Sequence, residues 1–497
     1  MSELKISSTL ISCLFAWVVC WCCATPANEE KSLAVRHCST CHMFVEPALL
    51  NKNMWEEHVL PEMAFRMGLD MSRISGATTK ELHEILKAIP SAPQIDQDTW
   101  QSIQNYYLSL APDSLTLPRF RPQILTQFTA STVTLPGLGV DNTTLRSDAV
   151  TKDLFIGTRG GRLIVLSQLI KTDFFSLPGP PSDIVFDEDK LFITSMGIMD
   201  PNDQSEGSIV KLTLPGKKIE IVVDSIKRPV AMVYTDLNND NQEDFLVSAF
   251  GNFTGGLYAY EQTDTSFQEH VIHNFPGNRK AIVRDFNDDG LPDIMTLIAQ
   301  GDEKIALFTN RGNFQFSYQV LLKFPPVYGS SYFELADFNA DGHPDILYTN
   351  GDNADYSMIL KPYHAVRIFL NDGHNKFSES WHHPMHGASM AKAVDFDADG
   401  DLDIAAISFF PDFAHHPEHS FIYFENLNGK FVPYATMMAA KGRWITMESA
   451  DIDQDGDQDI VLAALNFPTA VPQDLLDKWN EDKVSLLVLK NNHKGQQ

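Results

Sequence analysis

The chain has 497 residues, and 65 acidic against 38 basic side chains give a formal charge of −27. That excess excludes a protein whose main partner is nucleic acid, because neutralising phosphates needs a basic surface. An apolar fraction of 43% excludes a disordered chain, and the length exceeds what one core organises, so two or three domains are expected.

Residues 1–27 read as a secretory signal peptide: Lys5 precedes an apolar run from Leu10 to Cys23, and Ala24, Thr25 and Ala27 follow. The run is shorter than the ~20 residues that cross a bilayer, and nothing later reaches that length. Trp17-Val-Val19 lacks the small residue expected before a lipidated Cys20. The expectation is export to the periplasm or cell surface, without a membrane span in the mature chain.

Cys38-Ser-Thr-Cys41-His42 is next, and C-x-x-C-H is the attachment sequence for c-type haem. Two thiols at this spacing each add to a haem vinyl group, which places His42 as proximal iron ligand. The other four cysteines (Cys13, Cys20, Cys22, Cys23) fall in the leader, so the mature chain keeps only this pair. A disulfide, a thioredoxin-like pair and half a zinc site are the rivals, but no second C-x-x-C and no βαβ pattern accompany it. For an electron carrier the expected sixth ligand is a methionine, whose thioether favours Fe(II), the alternative being no methionine at all. Met63, Met67 and Met71 are candidates, ahead of Met43 and Met54.

Two amphipathic helices follow. Thr78-Thr-Lys-Glu81 has capping-box form before Leu82, Ile85, Leu86 and Ile89, and Asp98-Thr-Trp-Gln101 before Trp100, Ile103, Tyr107 and Leu108. A C-x-x-C-H helix, a middle helix and a closing aromatic helix within residues 31–112 resemble a class I cytochrome c. In such cytochromes the ligand sits in W-x₃-V-x₃-M, matched by Trp55, Val59 and Met63. The resemblance therefore implies one covalent haem on Cys38 and Cys41, with His42 and Met63 on the iron, Met67 or Met71 being the alternatives.

From about residue 120 short β-like runs alternate with turn residues. Within them D-x-[DN]-x-D-x-x-x-D occurs five times, its starts 49, 52, 58 and 56 residues apart. The ligand-type positions are Asp236, Asn238, Asp240 and Asp244; Asp285, Asn287, Asp289 and Asp293; Asp337, Asn339, Asp341 and Asp345; Asp395, Asp397, Asp399 and Asp403; Asp451, Asp453, Asp455 and Asp459. Alternating oxygen donors on a tight loop suit Ca²⁺, a hard cation taking six to eight oxygens, ahead of Mg²⁺. Position six is glycine in four copies and Asn241 in the first, where a left-handed residue is needed. An EF-hand requires glutamate at position twelve, but Val247, Thr296, Tyr348, Ala406 and Leu462 stand there, followed by strand-like runs. The expectation is a strand–loop–strand hairpin. Five divalent ions would move the formal charge from −27 to −17.

A period near 50 with a hairpin per unit indicates a β-propeller. Two loop-free units, Asp153 to Val165 and Asp183 to Thr194, precede the first loop, giving seven blades over residues 120–493. The fold class expected is mainly β, a seven-bladed propeller behind a small all-α cytochrome domain. The repeats resemble FG-GAP/VCBS proteins such as the integrin-α head, strongly over about 225–465. Asn350-Gly-Asp-Asn, Leu360-Lys-Pro-Tyr-His364, Phe369-Leu-Asn-Asp-Gly373 and Asp403-Ile-Ala-Ala-Ile-Ser-Phe-Phe-Pro411 are similar to stretches of bacterial cytochrome–FG-GAP fusions.

H-H-P-x-H occurs twice, at His382, His383, His386 and at His415, His416, His419. Both segments are expected in long inter-strand loops, either as exposed polar loops or as imidazole ligands for copper, zinc or iron. Three functions compete. The first is an exported monohaem cytochrome performing electron transfer, whose propeller docks a redox partner protein or a polymer. The second is a propeller oxidoreductase feeding its own haem, with Lys361, Tyr363 and His364 at the channel mouth. The third is a surface adhesion or carbohydrate-binding protein with a haem redox sensor.

Overall fold

The computed structural model describes residues 26–72, 79–135, 139–214, 216–352 and 358–493. Residues 1–25 of the expected leader, with four of its cysteines, and Thr78 of the first expected helix cap lie outside them. No helix among the described residues is long and apolar enough to cross a membrane.

Residues 26–110 carry most of the helical structure; one further α-helix, Gln473–Asp482, lies in the last blade between its second and third core strands. Helix α1 is Pro26–Cys38, so the C-x-x-C-H motif begins at its last residue. Helix α2 runs through Lys52–Met54, Trp55–Val59 and Leu60–Arg66, its middle turn widened to π geometry. Helices α3 (Thr79–Ala88) and α4 (Gln97–Leu110) follow. The cap of α4 lies two residues before the expected one: the Asp96 carboxylate accepts the Thr99 N–H at 2.7 Å. That register puts Ile95 just outside the cap and Trp100 one turn in, both buried in one cluster, which staples the entry of the helix. Ala34, Trp55, Val59, Ile103 and Tyr107 form the core where α1 meets α4.

The rest is a seven-bladed β-propeller. Six blades take their strands in order from 142–176, 181–226, 229–273, 278–323, 330–384 and 388–435; β1 (Gln123–Ile124) adds a parallel fifth strand to the sixth. The seventh combines three strands of 444–491 with β2 (Phe128–Val133), which pairs antiparallel with Leu486–Asn491. The two early loop-free units are blades one and two, as their strand-like runs imply. In an up-and-down blade the turns joining strands one to two and three to four share one face of the disc, and the remaining turns share the other.

Each nine-residue motif joins strands one and two, so all five lie on one face. The residue before the motif pairs with its ninth residue: Thr235 with Asp244, Arg284 with Asp293, Ala336 with Asp345, Val394 with Asp403, Ala450 with Asp459. Strands, not helices, flank every loop. The helical unit sits on the opposite face: Phe65 meets Phe253 edge-on at 6.3 Å, the Arg66 guanidinium lies 4.2 Å over the same ring, and Val327 and Ile359 join its core.

The innermost strands fill the axis with charge. Arg146 bonds Asp183 at 2.7 Å, Glu448 lies 3.1 Å from Lys392 and 3.6 Å from Arg146, and Lys280 bonds the Tyr332 hydroxyl at 2.6 Å.

Candidate functional site

The acidic loops are built alike. Position one folds the loop over itself: Asp285 accepts N–H groups from Asn287 and Asp289 on one oxygen and from Gly290, at 2.8 Å, on the other. Position five accepts the position-seven N–H, as Asp341 does from His343 at 2.8 Å. Position six is left-handed throughout, from φ 66° at Asn241 to 102° at Gly456. Position four is left-handed too, though it is Asn239, Asp288, Ala340, Ala398 and Gln454, and no glycine announces it.

The ninth aspartates are the deepest part. Asp244, Asp293, Asp345, Asp403 and Asp459 each have 0% exposure. In every copy one oxygen takes the position-two N–H and the other takes an N–H at the end of the third strand. For Asp345 these are Phe338 at 2.9 Å and Asn371 at 2.8 Å. Burial pushes all five carboxyls up, Asp403 to about 6. An asparagine beside this joint ties blades together: Asn310 donates to the Leu237 carbonyl of the preceding blade at 3.0 Å, and Asn491 to that of Phe396 at 2.6 Å. Sequence reading overlooked these asparagines, although one ends the third strand of each of the last four blades. Carboxylate oxygens of Asp395, Asp397 and Asp399, and of Asp451, Asp453 and Asp459, lie within 4.8 Å of one another. All-oxygen donors converging on a reversed loop fit a hard divalent cation.

In the helical unit Cys38 is half-buried and Cys41 exposed, and both thiols are free. Burial pushes Cys38 up to about 11, against a lowering hydrogen bond from Tyr107. A thiol held protonated is the wrong state for a thioredoxin-like nucleophile. His42 Nδ1 sits 2.8 Å from the Met43 carbonyl, the outer bond that orients a ligating imidazole and leaves Nε2 for another partner. Met63 and Met67 are half-buried against the same core as Cys38, whereas Met54 is buried within it and Met71 is 39% exposed. These donors, a histidine, paired thiols and a thioether around one apolar cluster, fit a c-type haem.

The histidine segments divide. His382 and His383 lie on the outer strand Phe377–Pro384 rather than in a loop, because Trp381 and His383 turn inward onto Phe424. His382 instead pairs with Glu379 at 2.9 Å. His415, His416 and His419 do occupy a long inter-strand loop, between Ser408 and Phe421. Lys361, Tyr363 and His364 are all buried and do not frame an open channel mouth; His364 Nδ1 accepts the Gly387 N–H.

Three residues on this face escaped the sequence reading. Glu303 is buried, accepts from the Gly329 and Ser330 N–H groups and the Ser330 hydroxyl, and is pushed up to about 7 by that burial. Arg443 is enclosed by Phe409, Phe410, Phe413 and Phe467 and bonds backbone carbonyls of Phe409, Phe467 and Thr469. Phe120, in the linker from the helical unit, stacks on His419 at 4.7 Å.

The FG-GAP-like repeat family matches residues 285–348 and 395–462, two stretches that each run from the start of one acidic loop through the next and into the strand after it. The chain carries FG-GAP repeats. Among solved structures it is similar to the Neurospora crassa Pan2 WD40 domain, 12% identical over 76% of this chain and 99% of that one, with TM-score 0.47. The N-terminal domain of Nup159 is 10% identical over 74% of this chain and 97% of that one, with TM-score 0.44. The extracellular domain of a putative one-component system from B. thetaiotaomicron is 10% identical over 73% of this chain and 39% of that one, also at 0.44. No curated protein matches the sequence.

Proposed function

We propose that this FG-GAP-repeat propeller is the docking body of an exported monohaem c-type cytochrome, which passes single electrons to a partner protein or polymer held by the propeller. The observation that carries the reading is the C-x-x-C-H motif at the end of α1, with His42 oriented by the Met43 carbonyl and two methionines set against the same core as Cys38. Cys38 and Cys41 would hold the haem, His42 would ligate its iron, and Met63, or else Met67, would supply the sixth ligand. The bound group supplies reversible one-electron chemistry, and a thioether ligand favours its reduced form. The chain's own residues do the remaining work. Trp55 Nε1 donates to the Pro47 carbonyl at 2.9 Å and its ring packs, tilted, 4.2 Å from that of Tyr107, which holds α2 against α4 and keeps water from that core. The five acidic loops would each hold one Ca²⁺ and rigidify the face away from the helical unit.

Production in a host with covalent haem-attachment machinery tests this. The wild type should carry one haem by intact mass and pyridine haemochrome, and the Cys38→Ser/Cys41→Ser variant none. Wild type that matures without haem would overturn the reading. Met63→Ala and Met67→Ala then identify the sixth ligand, since only one should abolish the far-red Met–Fe(III) band.

A further inference from the structure

Glu303 stands where the propeller meets the helical unit, and neither the acidic loops nor the haem ligands use it. It precedes the third strand of blade four, Lys304–Asn310, is 2% exposed, and is gripped by the turn that leads into blade five. One carboxylate oxygen accepts the Gly329 N–H at 3.1 Å. The other accepts the Ser330 N–H at 2.9 Å and the Ser330 hydroxyl at 2.6 Å. The same turn also faces the helical unit, because Val327 packs on the core that holds Cys38, Met63 and Met67. Gly329 follows Val327 by two positions, so the carboxyl lies within about 10 Å of the Val327 backbone.

The charged neighbours are matched with one another. Lys304 pairs with Asp302 at 2.8 Å, and Asp302 with Lys323 at 2.9 Å. Arg367 bonds Glu379 at 2.7 Å, and Arg279 lies 3.8 Å from Asp352. The other titratable neighbours are phenols: the Tyr348 hydroxyl meets that of Ser330, and Tyr328 stacks on Tyr363 at 5.0 Å. Among the described residues the carboxylate is thus held by three neutral donors and by no cation. Such an enclosed group responds to a change of charge nearby, because little water screens it. Burial also places it at about 7, where either protonation state is accessible. Protons have a short way in: the Asp352 N–H bonds the Gly329 carbonyl at 2.9 Å, and the Asp352 side chain is 34% exposed.

On the electron-transfer reading given above, we propose that Glu303 is a redox-linked proton acceptor: its carboxylate takes up one proton from solvent when the iron on His42 receives one electron from the partner, and releases it when that electron leaves. Charge balances at each turn, one electron against one proton. The oxidised iron carries one more positive charge than the reduced iron and so favours the ionised carboxyl. Reduction removes that charge and favours the acid. Glu303 is therefore a weaker acid in the reduced protein, and electron uptake is easier at low pH than at high pH.

The test is a redox titration of the haem-bearing full chain at a series of pH values, followed at the haem α-band. The wild-type potential should fall as pH rises through about 7, by an about threefold change in the reduction equilibrium, or about 28 mV for one electron. Glu303→Gln should lose that part of the profile, while any slope from the haem propionates stays in both proteins. Ser330→Ala removes a donor to the ionised carboxyl and should move the falling part to higher pH, by up to about one unit. Reduced-minus-oxidised infrared spectra near neutral pH should show a protonated-carboxyl band gained on reduction and absent from Glu303→Gln. A residue that merely braced the turn would give no such band. A haem-bearing variant whose profile parallels wild type, or a wild type without the band, overturns the proposal and leaves the electron-transfer reading standing. Wild type that matures without haem overturns both.

Discussion

The two faces of the propeller are constructed on opposite plans. One repeats a single device five times, a nine-residue loop whose last aspartate is buried between two backbone donors. The other has no repeat: Glu303 joins blades four and five, phenylalanines enclose Arg443, imidazoles gather around Glu418, and a helical unit covers Phe253. Repetition makes the acidic face uniformly dependent on carboxylate charge. On the opposite face each buried polar group answers to its own neighbours, and perturbing one should leave the others intact.

Removing the cation expected in the loops should produce the largest effect, because five sites lose their ligand together. Excess chelator should lower the thermal midpoint by on the order of 10 °C or more, and Ca²⁺ should restore it. An unchanged midpoint would erase the supposed difference between the faces. Next is a single loop. Asp345→Ala strands the Phe338 and Asn371 N–H groups in a site with 0% exposure, at a cost of about 4 kcal/mol in chemical denaturation. In loop-free blade one, Asp153→Ala should change stability by less than about 0.5 kcal/mol. Comparable losses at the two positions would show that the ninth aspartate is not special.

The opposite face should answer to pH through Glu303. Its folded pKa of about 7 lies above the ordinary carboxylate value, so the folded state takes up a proton. Its contribution to stability is complete below about pH 4.5 and is lost as pH rises to about 7, amounting to roughly 3 kcal/mol. Glu303→Gln should flatten that part of the profile. A variant profile parallel to wild type refutes the assignment. A smaller effect is expected from Phe253→Ala, which removes the edge-on contact with Phe65 and the cation–π contact with Arg66, worth about 1–2 kcal/mol. Limited proteolysis within 111–122 should then accelerate. Smallest is Ala398→Gly, which relieves a left-handed alanine at φ 57° and should raise stability by about 1 kcal/mol.

The same contrast explains what the sequence could disclose. Five copies of one motif made the acidic loops, their flanking strands and the blade count readable, since each copy corroborates the rest. The burial of position nine was not readable, because aspartate ordinarily signals solvent. Nor was the left-handed position four, where Ala340 and Ala398 mimic ordinary turn residues. On the other face the contacts that tie blades and linker together join residues remote in sequence, as Glu303 and Ser330 or Phe120 and His419 do, and periodicity carries no trace of such pairs. Two local misreadings have local causes. The Asp98 cap yielded to Asp96 because Ile95 and Trp100 set the register, and the first histidine segment became a strand because Trp381 had a core to fill.

The seam of the ring has a bearing on how the molecule is made. Strand β2 leaves the linker early, yet its partner comes near the end, and the Thr129–Asn492 bond across that seam spans 363 positions. At ribosomal speeds of about 5–20 residues per second, that strand waits roughly 20 to 70 s before its neighbour exists. Throughout that interval it is an unpaired edge, so folding helpers and chain-to-chain mispairing compete for it. Circularity here is achieved last, by a clasp that joins one of the first strands to emerge with the very last.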